Sequence, residues 1–257
     1  MLLVSRRLDG VLCVGEAVTI VTQPPILIPT CNAYLWSARI AVYLLSQYWR
    51  PWPRVVVAGY RRPDWPWPAE VEWHTIAETE WPQGQWSSGL IRALKYLRAP
   101  QAIIWLDDYW CVRDVDTEAV GMLADLMSET PDILRCDLTD DRMYAGDARD
   151  VGYCGRLDLV ETPGDSPYQM SLQAGIWNVD LLLPLVYPKW SPWEFELHGS
   201  PTLHHVEGRR VLGTRQRPVR YANAMQGGRA TDIRADQWAL VPAVQQRYIE
   251  EQGWLPG

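Results

Sequence analysis

The run Ala102-Ile103-Ile104-Trp105-Leu106, followed at once by Asp107-Asp108-Tyr109, constrains this chain more than any other stretch. Its consecutive apolar residues read as a strand buried on both faces, the pattern of a parallel sheet with helices on each side. An unpaired carboxylate inside such a strand costs roughly several kcal/mol of desolvation. The two aspartates therefore belong at the strand's carboxyl end, where the chain leaves the core. Ligands of open α/β sheets bind at that edge. Two hard oxygen donors there suit Mg²⁺ or Mn²⁺ carrying a phosphorylated substrate. A pair that only caps the following turn has the same sequence.

The surrounding pattern agrees with an α/β chain. Residues 17–22 (AVTIVT) read as a first strand, after which Pro24, Pro25 and Pro29 break regular structure. Helical apolar spacing over 34–48 follows, with Asn32 as N-cap, then a short strand at 55–58 closed by Gly59. A proline-rich loop at 62–68 leads to an alternating strand at 71–76 and a helix at 86–97 capped by Ser87 or Ser88. Beyond the Asp-Asp strand come a helix at 117–127 with Asp116 as N-cap and a strand at 133–138. The stretch 146–155 reads as a loop, 157–160 and 170–177 as strands, and 178–186 as a short helix. This alternation predicts a Rossmann-like, mostly parallel central sheet flanked by helices, with an irregular C-terminal part over the sheet edge. One domain is expected, with a nucleotide-binding half at about 17–140, an acceptor and catalytic half at about 141–230, and a tail at 231–257.

Composition narrows the class. At 257 residues, with 47% hydrophobic and 21% charged side chains, the chain can bury one large core. No apolar run reaches the ~18 residues of a membrane span, and the first residues lack a signal-peptide core, so a cytoplasmic location is expected. Five cysteines without CxxC spacing indicate neither a disulfide framework nor a zinc site. Fifteen Trp stand against one Phe, and two Lys against the many Arg. Coding bias produces this, as does a need for flat faces that stack on sugars or bases.

Net charge is −7 but uneven. The stretch 106–166 holds 16 acidic residues and five Arg, whereas 206–234 holds seven Arg against Glu207 and Asp232. A metal site facing a phosphate clamp has this pattern, and so does a solvated surface.

A second carboxylate cluster is Ser191-Pro192-Trp193-Glu194-Phe195-Glu196. In an extended segment both Glu face one way and both aromatics the other. A carboxylate against aromatic walls gains the raised pKa of a general base. The alternative is a turn before a helix, whose N-terminus favours Glu. Among the histidines, His74 alternates within a strand and reads as structural, whereas one of His198, two residues past Glu196, and His204 and His205, before the Arg-rich segment, would complete a metal shell, His198 foremost. G-x-G-x-x-G, the Walker P-loop and the G-x-S-x-G elbow are all missing, so metal and Arg would have to hold any phosphates.

Together the β-α-β start, the LDDY segment at 106–109, Gln173-Ala174-Gly175-Ile176-Trp177-Asn178 and the SPWEFE segment at 191–196 resemble nucleotide-sugar glycosyltransferases of the GT-A fold, small bacterial and phage-type members above all. The resemblance runs from about Val18 to Arg229. It implies that Asp107 and Asp108 stand where the family binds the donor ribose and a divalent metal, manganese or magnesium, with Asp108 as ligand. Asp-Asp-Tyr replaces the family's Asp-x-Asp. Thr22, Gln23 and Arg92 would contact the donor, a UDP-sugar foremost. Gln173, Trp177 and Trp193 would line the sugar or acceptor pocket. Glu196, or else Glu194, would deprotonate the acceptor hydroxyl and invert the sugar. The acceptor is a glycan, a lipid-linked sugar or a hydroxymethylated DNA base, and a phage-encoded protein would work in the host cytoplasm. The competing readings are a sugar nucleotidyltransferase, against which the missing glycine-rich basic loop counts, and a non-catalytic carbohydrate-binding protein.

Overall fold

The computed structural model describes residues 23–144, 147–225 and 232–256. Its strands are β1 (Ile26–Pro29), β2 (Val55–Gly59), β3 (Val71–Thr75), β4 (Gln101–Ile104), β5 (Tyr109–Cys111), β6 (Ile133–Asp137), β7 (Arg149–Cys154), β8 (Leu157–Glu161), β9 (Gly175–Asn178), β10 (Arg210–Thr214) and β11 (Tyr221–Asn223). The helices are α1 (Leu35–Tyr48), α2 (Trp86–Leu97), α3 (Thr117–Glu129), α4 (Asp141–Tyr144), α5 (Val179–Leu182), α6 (Pro192–Leu203), α7 (Ala235–Trp238) and α8 (Ala243–Glu251). Among the described residues no helix is long and apolar enough to cross a membrane.

Nine strands form one sheet in the order β3-β2-β1-β4-β9-β6-β10-β8-β7, and β11 and β5 form a separate pair. Only β9 and β8 run against the rest of the large sheet. The expected mostly parallel sheet flanked by helices is thus present. The segment after residue 140 also supplies strands, and β9 inserts between β4 and β6.

Side-chain alternation along the strands divides the core into two layers. Ile26, Ile28, Val55, Val57 and Ile103 face the layer that includes α1 and α3. Leu27, Val56, Ala58 and Ile104 face the layer that includes α2 and Phe195 of α6. All nine of these strand side chains are fully buried. Such strands need continuous apolar sequence, which is why the signals of β2 and β4 were strong.

Several local expectations change. The expected strand at 17–22 and Thr22 lie outside the described residues. The first described strand is Ile26–Pro29, in the segment where prolines were expected to break structure. Pro29 is tolerated because it closes the strand and owes the ladder no further N–H. Ser87 and Ser88 do not cap α2. The Ser87 hydroxyl donates to the Tyr187 carbonyl (2.8 Å) and accepts from Trp190 N–H (2.8 Å), while Ser88 accepts from Lys189 N–H (3.1 Å). They bind the start of α2 to the loop before α6. Asn32 lies in a 3₁₀ turn and accepts from Arg61 N–H (3.1 Å), so it does not cap α1. The 146–155 loop is largely β7, and the strand expected at 170–177 begins only at Gly175.

Asp116 does cap α3, accepting from Ala119 N–H at 3.1 Å. Both its oxygens also accept from Arg156 Nη2 at 2.6 Å. Asp116→Ala is expected to cost about 1 kcal/mol, within the ~0.5–2 kcal/mol typical of lost caps. Urea denaturation measures it, and an unchanged midpoint would show the cap to be idle.

The acidic middle and the late arginines meet across the sheet. Arg210 pairs with Glu161 (2.7 Å), Arg215 with Asp150 (2.8 Å) and Arg217 with Asp140 (2.5 Å). These part-exposed pairs add little stability, but they occupy arginines that the charge pattern offered as a phosphate clamp.

Candidate active site

The strand order reverses between β1 and β4, with β2 and β3 laid down on one side of β1 and β4 on the other. Topological switch points of this kind open a crevice at the carboxyl ends of the strands. Here the crevice is a cavity of about 490 Å³ lined by Pro29, Thr30 and Cys31 after β1 and by Leu106 through Tyr109 after β4. Ligand pockets span roughly 300–1,000 Å³, so a small ligand fits.

Asp107 and Asp108 lie in the turn that joins β4 to β5. Each is anchored by its backbone. The Asp107 carbonyl accepts from the Ser37 hydroxyl of α1 at 2.8 Å, and the Asp108 carbonyl accepts from Ala224 N–H at 2.8 Å. The turn itself closes through Tyr109 N–H to the Leu106 carbonyl (3.1 Å) and Trp105 Nε1 to the Tyr109 carbonyl (2.6 Å). With both carbonyls held, the carboxylates are presented from a rigid base. With its amide oriented to satisfy both ends, Asn223 donates to Asp108 Oδ2 at 3.3 Å and to the Met225 carbonyl at 3.2 Å.

Among the described residues neither aspartate has an ion-pair partner, and no Lys or Arg lines the cavity. Burial, and then the adjacent Asp108 charge, holds the Asp107 carboxyl well above the usual range. Burial pushes Asp108 up to about 6. The same surroundings act on two neighbours: burial first and Asp107 second raise the Cys31 thiol and the Tyr34 phenol each to about 12. No cation on the cavity floor offsets the charge that these two carboxyls carry when ionised, and burial holds both above the usual range.

Glu196 reaches this cavity from α6. The segment 191–196 is not extended as expected. It is the start of a helix, opened by Ser191 as N-cap with Pro192 in the first turn. Glu194 closes a capping box. Its Oε2 accepts from Ser191 N–H (2.8 Å) and from the Ser191 hydroxyl (2.7 Å), and Ser191 Oγ accepts from Glu194 N–H (3.3 Å). Those bonds hold the Glu194 carboxyl below its usual range. In a helix, residues two apart point in different directions, so the two glutamates part company. Phe195 enters the core and Trp193 stays exposed at the cavity. Glu196 Oε1 accepts from Leu172 N–H at 2.7 Å, and burial raises its carboxyl.

Of the residues singled out from the sequence, Asp107, Asp108, Gln173, Trp193 and Glu196 line this one cavity. The others stand elsewhere. Gln23 precedes β1, at the amino end of the sheet, where it accepts from Trp49 Nε1 (2.6 Å) and donates to the Pro51 carbonyl (3.0 Å). Trp177 is fully buried beneath the site in edge contact with Phe195. Arg92 is exposed, donates to the Ile76 carbonyl (2.8 Å) and lies 4.7 Å over the Trp81 ring. His198 is exposed on α6, its ring 6.2 Å from Trp190. Among the described residues no group of three or more His, Cys, Asp or Glu is arranged to hold a metal.

Sequence reading missed the wall formed by Tyr34, Tyr60, Glu80, Trp81, Trp86 and Asn223. Reading no strand at Ile26–Pro29 hid Thr30, Cys31 and Tyr34. The apolar Ile26-Leu27-Ile28 triplet was the signal that would have found them. Below the site, Tyr221 donates to Gln173 Oε1 and stacks on Tyr109 at 4.1 Å. Arg135 Nη2 donates to the Gln173 carbonyl at 2.9 Å. Gln173 is thus held from two sides.

No protein-family model matches the sequence, and no curated protein does. Solved structures share part of its architecture. The S. aureus TarS crystal structure is 15% identical with a TM-score of 0.45, covering 74% of this chain and 35% of that one. This chain therefore spans about a third of the TarS chain's length. A cytidylyltransferase from Leptospira borgpetersenii is 10% identical (TM-score 0.43, 76% of this chain, 78% of that one). A UDP-glucose pyrophosphorylase complexed with UDP-glucose is 7% identical (TM-score 0.44, 78% of this chain, 93% of that one).

Proposed function

We propose that this chain is a glycosyltransferase that moves a sugar from a nucleoside-diphosphate sugar, UDP-linked foremost, to an acceptor hydroxyl. One observation carries the reading. A cavity at the sheet's switch point holds two uncompensated aspartates and, from a helix 84 or more residues later in the chain, a half-buried glutamate. A diphosphate would be repelled by this lining unless it arrived with a cation. The pair fits Mg²⁺ or Mn²⁺, which are commonly held by one or two carboxylates plus substrate phosphates. Asp108 and Asp107 would hold the metal, whose charge would offset that growing on the leaving diphosphate.

Glu196 is the base in this reading. It takes the acceptor O–H proton as the acceptor oxygen bonds the anomeric carbon. The bond from that carbon to the diphosphate oxygen breaks, and its electron pair leaves with the nucleoside diphosphate. Attack opposite the leaving group inverts the sugar. The Leu172 N–H on Oε1 aims the carboxylate, and burial keeps it basic enough to accept a proton. Gln173 and Trp193 would contact the sugars, the exposed Trp193 ring offering a stacking face.

The test is thermal-shift binding of UDP, GDP, CDP and dTDP, each with and without Mn²⁺. A metal-enhanced shift with UDP is expected. No shift with any diphosphate would overturn the donor assignment. Incubation with a nucleoside triphosphate and a sugar phosphate is expected to release no pyrophosphate. Release would move the site to nucleotidyl transfer.

A further inference from the structure

A second concavity, of about 850 Å³, is lined by residues of α2 and of β3, the edge strand of the sheet. Arg54, His74, Arg92, Lys95 and Arg98 face it, and no carboxylate lines it. This is unusual in a chain with a net charge of −7. The nearby Glu72 does not neutralise the group, because Arg54 binds both its oxygens, at 2.7 and 2.8 Å. Among the described residues Arg92, Lys95 and Arg98 have no ion-pair partner.

Two of the groups are held in place. The Arg92 guanidinium is fixed by the Ile76 carbonyl (2.8 Å) and the Trp81 ring (4.7 Å). The His74 imidazole lies flat on Tyr96, 3.9 Å between centroids. Lys95 and Arg98 also complement the carboxyl end of α2. Arg54 serves that end too, donating to the Leu97 carbonyl at 3.0 Å. That role does not account for His74 and Arg92 converging on the same recess from outside that helix end.

We propose that this recess is a second binding site, which takes a phosphate group without a divalent cation. The fixed Arg92 guanidinium, with Lys95 and Arg98 beside it, suits phosphate oxygens through charge-assisted hydrogen bonds. Ile76 lines both this recess and the first cavity, and Trp81 of the first cavity carries Arg92. Resting on the transferase reading above, the phosphate held here belongs to the acceptor.

The test uses the full chain with inorganic pyrophosphate in a chelating buffer, where the acidic first cavity has no metal to attract it. His74 ring resonances are followed by NMR, assigned with His74→Gln. Saturable movement is expected, with affinity at least about tenfold weaker in Lys95→Gln/Arg98→Asn, which removes two charged donors. Asn suits position 98, where the backbone is left-handed (φ 50°). Equal movement in sodium chloride of the same ionic strength would overturn the site, as would unweakened binding by the double variant. UDP binding with Mn²⁺ is read in parallel. If it fails while His74 still responds, the transferase reading falls and the phosphate site stands. If His74 is silent while UDP binds, the phosphate site alone falls.

Discussion

Asp108→Asn is expected to make the ligand-free protein more stable at pH 7.5 while removing metal-assisted UDP binding. Burial raises the Asp108 carboxyl to about 6 from an ordinary value of 3.8. Between those values the folded state binds more protons than the unfolded one, so stability falls as pH rises. The penalty is complete above the folded value and vanishes below the unfolded one. A neutral isostere escapes it, by about 1–3 kcal/mol at pH 7.5 and by nearly nothing at pH 3.5. Urea denaturation of both proteins from pH 3.5 to 8 measures the difference. A variant less stable at pH 7.5, or a gap independent of pH, would show that Asp108 is a structural acid. Thermal shift with UDP and Mn²⁺ should fall to the level seen without metal. Gain of stability with loss of binding is the signature of a site held in a strained state for function.

Glu196→Gln is expected to lower kcat by about 10²–10⁴-fold, the usual worth of a positioned acid or base. Its amide oxygen can still accept from Leu172 N–H, so folding and donor KM should change little. The pH profile separates base from support. Burial raises the Glu196 carboxyl above its ordinary 4.5, so the wild-type rate should fall as pH drops through that raised value and the base is protonated. The variant should lose this acidic limb. Loss of donor binding with kcat retained would assign Glu196 to the donor instead. The matching change at Glu194 is expected to act on α6, since its carboxylate is already engaged by Ser191.

The contrast between these two glutamates shows where sequence reading ends. An alternating W-E-F-E pattern is ambiguous between an extended segment and a helix start, because four residues satisfy either period. The Ser-Pro-x-Glu capping signature favoured the helix, and the structure adopts it. Once helical, Glu194 turns back to Ser191 and Glu196 forward to the cavity. Gln23 and Arg92 show the same limit. Each has the right chemistry for a donor contact, but one lies at the amino end of the sheet and the other faces a different recess.

By itself the sequence determined the α/β class, the two-layered core and the placement of Asp107-Asp108 at a strand's carboxyl end. Those follow from local rules: apolar runs must be buried, and unpaired carboxylates must leave the core. Only the tertiary structure decided that β9 enters the sheet beside β4, that the switch point falls between β1 and β4, and that Glu196 and Gln173 join the aspartates there. It also paired the late arginines with acids across the sheet and left the basic recess beside α2 without them. These outcomes depend on contacts between residues far apart in the chain, whose free energy comes from shared burial and has no trace in the local sequence.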